Sequence, residues 1–225
     1  LPAVVTIALA VGVERMIKVN VVVRKLHAVE TLGCAQVICA DKTGTLTQNK
    51  MTVRSVYTGG RMFNRTRAGH FLHNENQVAP ELDVDLKRTL VIASLCNNED
   101  FSSLRTRGGD PTERALLLAA EQGGLNTGRL HRTYPRTGEL PFESQRRRMS
   151  VVVRLDNASQ QLFPEGHGQQ ATARALLCKG APATILDRCT GVAVGTRVKP
   201  LTPLEKKELA ALNETLASRA ERVLA

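Results

Sequence analysis

The sequence predicts a mixed fold, α/β or α+β, on three observations. Compact strand-like runs such as Gln36–Ala40 (QVICA) and Met149–Leu155 alternate with segments of helical period. Near the end, Leu209, Leu212, Leu216, Ala220 and Val223 recur every three to four residues. Turn chemistry separates the runs, with Gly and Thr over Lys42–Thr47, then Gly59-Gly60 and Gly123-Gly124.

The elements follow in chain order. Leu1–Val13 is apolar and is followed by Arg15, Lys18, Arg24 and Lys25. Thirteen helical residues reach roughly 20 Å, so this segment fits a buried helix or the cytoplasmic end of a truncated membrane helix. Val19–Val23 reads as a short strand and Ala28–Leu32 as a helical turn. Gln36–Ala40 has the unbroken apolar character of a parallel strand buried on both faces, and it ends at Asp41. Met51–Tyr57 and Arg61–Phe63 flank Thr58-Gly59-Gly60 as a hairpin.

Leu82–Cys96 has helical spacing, and a second helix opens at Pro111, capped by Asp110 and stopped by Gly123-Gly124. Leu130–Tyr134, Met149–Leu155 and Ala173–Cys178 read as strands, with an exposed polar excursion over 156–170. Ala181–Cys189 reads as a helix and Thr202–Leu224 as a longer one, with the leucine stripe in the core.

Composition narrows the function classes. Of 225 residues, 42% are hydrophobic and 3% aromatic, enough for a packed core and against a largely disordered chain. No run reaches the ~20 apolar residues of a membrane-spanning helix. The chain opens at Leu1-Pro2 without an initiator Met and reads as a piece of something longer. Its net charge of +10 points to an anionic partner: nucleic acid, anionic lipid or a phosphorylated small molecule. The one dense basic run, Arg146-Arg147-Arg148, has only Phe142 beside it, too little aromatic surface for stacking on nucleic acid. Cys34, Cys39, Cys96, Cys178 and Cys189 have no zinc-like spacing and read as reduced thiols, those in apolar stretches as small hydrophobes. His70 and His73 supply two ligands at most, and a surface turn accounts for them.

The stretch that carries chemistry is Asp41-Lys42-Thr43-Gly44-Thr45-Leu46-Thr47. A carboxylate at the carboxyl end of a strand, followed by a Gly/Thr loop, stands where open α/β sheets place their chemistry. Loop N–H groups and Thr hydroxyls can cradle phosphoryl oxygens, Lys42 adds a charge, and Asp41 can attack phosphorus in line. Such a transfer calls for a divalent cation, Mg2+, held partly by Asp41.

These residues resemble the phosphorylation motif of the P-type cation-transporting ATPases. The flanking words LPAVVTIALAVGVERM, VETLGCAQVICA and TQNKMTV are similar to the type-II, calcium-pump-like branch. The resemblance implies that Asp41 is the phosphorylated nucleophile and that the Thr43 backbone carbonyl helps hold Mg2+. Related phosphatases carry a second Asp, as acid/base, where this chain has Thr43, so hydrolysis of the phosphoenzyme lacks a proton shuttle.

Later words resemble the nucleotide-binding domain of the same family: Cys96-Asn97-Asn98, Gly109-Asp110-Pro111-Thr112-Glu113, Pro141-Phe142-Glu143-Ser144, Met149-Ser150, Lys179-Gly180-Ala181-Pro182 and Arg222-Val223-Leu224. They imply that Glu113 meets the adenine edge with Thr112 beside it, and that Phe142 stacks on the base against Met149. Lys179 and Gly180 line the pocket, and Arg222 and Leu224 meet phosphate and base. Members usually carry Arg at the position of Ser144, and the resemblance leaves Arg146, Arg147 or Arg148 to compensate, with Arg147 taken as the binding residue.

On this resemblance residues 1–16 are the cytoplasmic end of a truncated transmembrane helix. Residues 17–50 begin a haloacid-dehalogenase-like phosphorylation domain, and 51–225 form a nucleotide-binding domain, incomplete at its C-terminal end, with an antiparallel sheet flanked by helices. The implied function is ATP binding and aspartyl phosphorylation in a pump for Ca2+ or a related cation. Mg2+ and ATP are the implied cofactor and substrate. The implied site is the cytoplasmic face of a membrane, reached through helices this chain lacks, without nucleic acid as partner. The competing readings are a haloacid-dehalogenase-like soluble phosphohydrolase and a basic module that binds nucleic acid or lipid.

Overall fold

The computed structural model describes residues 2–99, 109–155, 162–164 and 173–225. The chain divides into two compact units, Leu1–Asn49 and Lys50–Ala225.

In the first unit, helix α1 (Pro2–Lys18) is followed by a short α2 (His27–Gly33). An ion pair between Lys18 and Glu14, 2.9 Å apart on adjacent turns, supports the end of α1. Asn20 then turns the chain with φ 63°. Among the described residues no helix is long and apolar enough to cross a membrane. Two expectations are corrected here. Val19–Val23 is not a strand, because α1 and its closing turn take up its start and the rest is irregular. Gln36–Ala40 is irregular and exposed rather than a buried parallel strand, and Cys34 and Cys39 are exposed with it. The physical reason is that a strand needs a ladder partner, and the described residues of this unit contain no other strand.

Among its described residues the second unit holds three antiparallel sheets. A meander in order β1-β2-β3-β4 comprises β1 (Ser55–Thr58), β2 (Arg61–Arg65), β3 (Phe71–His73) and β4 (Asn76–Val78). Its two tight turns, Gly59-Gly60 and Asn74-Glu75, have positive φ at both central residues, the geometry that matches strand twist. The second sheet, in order β5-β6-β7, comprises β5 (Arg136–Glu143), β6 (Arg148–Arg154) and β7 (Arg174–Gly180). A small hairpin of β8 (Gly191–Val194) and β9 (Arg197–Pro200) completes the set.

Helix α3 (Val84–Leu95) is the hub. Asp83 caps it by accepting the Leu86 N–H at 3.0 Å. Its Leu86, Leu90, Val91 and Leu95 share one core with Phe63 and Phe71 of the meander and with Met149, Val151 and Val153 of β6. Met149, Val151 and Val153 alternate along β6 and so share the face toward this core, with Ser150 between them buried as well. Helix α4 (Pro111–Gln122) packs beside α3, starting at the Asp110 cap and ending at Gly123, with Gly124 at φ 95°.

The remaining helices are α5 (Thr127–Thr133), α6 (Pro182–Leu186) and α7 (Pro203–Ser218). Leu130–Thr133 is therefore helical rather than a strand, with Tyr134 closing the helix, because the Asn126 side chain accepts the Arg129 N–H at 2.7 Å and nucleates a turn. Helix α7 stops at Ser218, short of the expected Leu224, and Ala220 has φ 59°. Its stripe is also not core: Leu209, Leu212, Leu216 and Val223 are half-buried and Ala220 is exposed. α7 packs against the short α6, and its leucines border an open groove instead of being covered. Most of the expected excursion over 156–170 lies outside the described residues, although Leu162 and Phe163 are buried. His73 sits in β3, half-buried, with Nδ1 3.1 Å from the Met62 carbonyl oxygen.

Candidate functional site

Four segments of the second unit converge on one place. The first is the start of α4. Asp110 Oδ1 accepts the N–H groups of Thr112 and Glu113 at 2.7 and 3.0 Å, which fixes both residues in the first helical turn. Burial by itself raises the Asp110 carboxyl. The N–H groups of Glu113 and Thr112, the Thr112 hydroxyl and the Arg222 charge together outweigh it and hold the group below the usual aspartate range.

The second is the end of β7. Lys179 lies opposite Met149 of β6, whose side chain is 1% exposed, so the ammonium rises over an apolar floor. Lys179 Nζ donates to Glu113 Oε1 at 2.8 Å, and the two side chains are only 13% and 17% exposed. The other Glu113 oxygen accepts the Asn98 N–H at 2.9 Å, and Asn97 Nδ2 donates to the Glu113 carbonyl at the same distance.

The third segment is the chain's end. Gly180 N–H donates to the Ala225 carbonyl at 2.8 Å and Ala225 N–H to the Gly180 carbonyl at 3.0 Å, an antiparallel bridge. It brings Arg222 to the start of α4, where Nη1 donates to the Thr112 hydroxyl at 3.3 Å. Gly180 has no room for a side chain: an added Cβ would stand 2.5 Å from the Arg147 carbonyl oxygen and 2.6 Å from Arg148 Cβ.

The fourth is the β5–β6 turn. The register slips between Leu140 and Glu143, so an extra residue bulges there, and Phe142 is 63% exposed. Arg146 Nε donates to Glu143 Oε2 at 2.7 Å and its Nη2 to the Pro141 carbonyl, bracing the residues before and after Phe142. Arg148 donates to the Arg146 carbonyl oxygen at 3.3 Å. Arg147 stands at the turn with φ 52° and, among the described residues, spends its guanidinium on no partner.

A groove of about 910 Å3 is bordered by Thr112, Cys178, Lys179, Arg222 and Leu224 together with β1, α6 and α7, whereas Glu113, Phe142, Arg147, Met149 and Gly180 do not border it. A smaller cavity of about 340 Å3, among Arg54, Arg65 and Arg219, holds none of the predicted residues. The structure thus brings together Thr112, Glu113, Met149, Lys179, Gly180, Arg222 and Leu224, with Phe142 and Arg147 on the β5–β6 bulge and turn. The Asn97–Asn98 contacts to Glu113 carry a role that sequence reading left unassigned. Only the matching Cys96-Asn97-Asn98 word pointed there.

Asp41, Lys42 and Thr43 belong to the first unit and are described within it. Asp41 is exposed, and its Oδ1 accepts the Thr43 N–H at 3.4 Å. Thr47 N–H and hydroxyl both donate to the Lys42 carbonyl, at 3.1 and 3.2 Å, closing the loop around Gly44 at φ 80°. One exposed carboxylate and loop carbonyls are hard oxygen ligands that fit a partial Mg2+ shell, in which water and substrate phosphate fill the rest. Among the described residues no cluster of three His, Cys, Asp or Glu side chains could hold a metal alone.

Such a set of elements, an antiparallel sheet backed by helices with a Glu–Lys pair beside a groove, defines a lobe of the α+β class. Residues 85–225 match the family model of the P-type ATPase cytoplasmic domain N, and the chain belongs to that family. It is 39% identical over its whole length to a calcium-transporting ATPase of Bacillus subtilis, covering 25% of that protein. It is 37% identical to a calcium-transporting ATPase of Listeria monocytogenes and 36% to a cation-transporting ATPase of Synechocystis, again over the whole chain, covering 23% and 24% of them. The chain therefore spans about a quarter of the length of the curated relatives it matches.

Proposed function

We propose that the second unit binds ATP at the mouth formed by Thr112, Glu113, Lys179 and Arg222, and that Asp41 receives the γ-phosphoryl group in a cation pump. The observation that carries the reading is the Lys179–Glu113 pair over Met149, with Arg222 reaching the same helix start. A carboxylate acceptor suits the exocyclic amine of adenine, and the exposed Phe142 offers a ring for stacking. Gly180 is buried, and its missing side chain makes room for the Arg147–Arg148 backbone rather than for a ligand. Leu224 packs by the base, and Arg147, Lys179 and Arg222 supply charge for phosphates. In the transfer, an Asp41 carboxylate oxygen forms a bond to the γ-phosphorus as the bond to the β–γ bridging oxygen breaks. ADP leaves with that electron pair.

Asp41 and the Thr43 carbonyl would hold Mg2+, which neutralises charge on the transferring group. With Thr43 rather than a second Asp in the loop, water attack on the acyl phosphate lacks a side-chain base, which suits an intermediate that persists through a conformational change. The same reading assigns 1–16 to the cytoplasmic end of a membrane helix, 17–50 to the start of the phosphorylation domain and 51–225 to the nucleotide domain. It places both on the cytoplasmic face, with Ca2+ or a related cation as cargo.

The test uses the whole pump that contains this chain, incubated with ATP labelled at the γ-phosphate. Acid-stable, hydroxylamine-labile label is expected on the protein and absent from Asp41→Asn. Label that survives that substitution removes Asp41 as nucleophile.

A further inference from the structure

The carboxylate of Glu113 is aimed by a group that never touches it. Arg136, at the start of β5, spreads its guanidinium over the C-terminal end of α3. Nη1 donates to Asn98 Oδ1 at 2.9 Å and to Glu139 Oε2 at 3.0 Å. Nη2 donates to the Leu95 carbonyl at 3.1 Å and to the Asn97 carbonyl. Those carbonyls belong to a helix end, where backbone acceptors lack intrahelical partners and a cation is favoured. The segment so pinned is the one whose Asn98 N–H meets Glu113 Oε2 and whose Asn97 side chain holds the Glu113 carbonyl. Asn97 is 1% exposed, so the link is packed as well as hydrogen-bonded.

From this chain of contacts we infer that Arg136 is a positioning residue that sets the specificity of the nucleotide site, acting on Glu113 through Asn98. The inference rests on the reading of this pocket as an ATP site. Glu113 spends one lone pair on Lys179 and one on Asn98, and an ionised carboxylate has about four to offer. The remaining acceptors can meet a donor such as the adenine amine, and their direction depends on both anchors. Inosine presents a carbonyl at that position, so a correctly aimed Glu113 favours ATP over ITP. Without Arg136 the Asn97–Asn98 segment loses its two contacts to the guanidinium, and the end of α3 a third at Leu95, so the Asn98 N–H that meets Glu113 is no longer anchored from behind. Lysine at 136 keeps a charge at the helix end but cannot reproduce a planar fork spanning four acceptors.

The experiment titrates ATP and ITP against the 225-residue chain and its variants, with the thermal unfolding midpoint read on each. Arg136→Met is expected to weaken ATP roughly ten-fold and ITP less than about two-fold, so the preference narrows. Arg136→Lys is expected to narrow it in the same sense, and carries the test if Arg136→Met does not fold. Adding Arg136→Met to Glu113→Gln is expected to cost less than about two-fold more, because the two act through one contact. An unchanged ATP-to-ITP ratio in a folded Arg136 variant, or losses that simply add, overturns the positioning role. If Phe142→Ala and Lys179→Ala lose ATP while the Arg136 variants keep the wild-type ratio, this inference alone fails. If neither substitution alters ATP binding, or the wild-type chain binds none, the ATP reading fails and takes this inference with it.

Discussion

Lys179 Nζ lies 2.8 Å from Glu113 Oε1, tying the last residues of β7 to the first turn of α4 across 66 positions of sequence. Both side chains are largely withdrawn from water, so each charge depends on the other. Lys179→Ala is expected to lower unfolding free energy by about 2 kcal/mol, since the carboxylate keeps only the Asn98 N–H. Glu113→Gln/Lys179→Met should recover part of that loss in denaturant titrations. Equal midpoints for wild type and Lys179→Ala would show the pair to be energetically idle.

Asp110 presents the start of α4 to that pair, and its folded-state pKa is depressed. The sign follows from linkage: its stabilisation is present above the ordinary aspartate range near ~3.9 and disappears as pH falls through the lower folded value. Asp110→Ala is expected to cost about 1 kcal/mol at neutral pH and to reduce the acid dependence of stability. Chemical denaturation at neutral pH and at successively lower pH reads both.

Phe142 and Met149 are assigned to the same ligand but differ in what they hold up. Phe142 is 63% exposed and Met149 is 1% exposed. Phe142→Ala should weaken ATP at least several-fold while shifting stability by no more than about 0.5 kcal/mol. Met149→Ala should cost about 2–5 kcal/mol through the cavity it leaves in the core. Calorimetric titration beside thermal unfolding separates the two, and a large stability loss in Phe142→Ala would contradict the exposure argument.

Gly180→Ala tests the tightest backbone approach at the site. The new methyl would meet the Arg147 carbonyl oxygen and the Arg148 backbone, at 2.5 and 2.8 Å, neither of which is a yielding side-chain end. A loss of about 1–3 kcal/mol is expected, as for other overpacked positions. Amide exchange should locate the loosening at the Gly180–Ala225 bridge, whose two hydrogen bonds the displacement would stretch.

Local chemistry was legible wherever it was decided locally. The Gly59-Gly60 hairpin, the Asp110-Pro111 helix start and the Gly123-Gly124 stop stand where turn and cap residues put them. Leu130–Tyr134 misled because an apolar residue among polar ones has no period over so few positions, and the Asn126 cap settled it as helix. β5 escaped notice since Pro141 and a bulge interrupt its alternation. Gln36–Ala40 shows the opposite failure: its composition is that of a buried strand, but strand formation requires partners, and the unit around it offers none among its described residues.

Sequence alone determined the family, the motif around Asp41, and which residue types could meet a nucleotide, because those depend on residue identity and short spacing. The tertiary structure decided that Glu113 faces Lys179, that Arg222 reaches Thr112, and that Arg136 grips the end of α3. Each of these joins positions tens of residues apart, through hydrogen bonds short enough to exist only once the helices and sheet have packed into a common core.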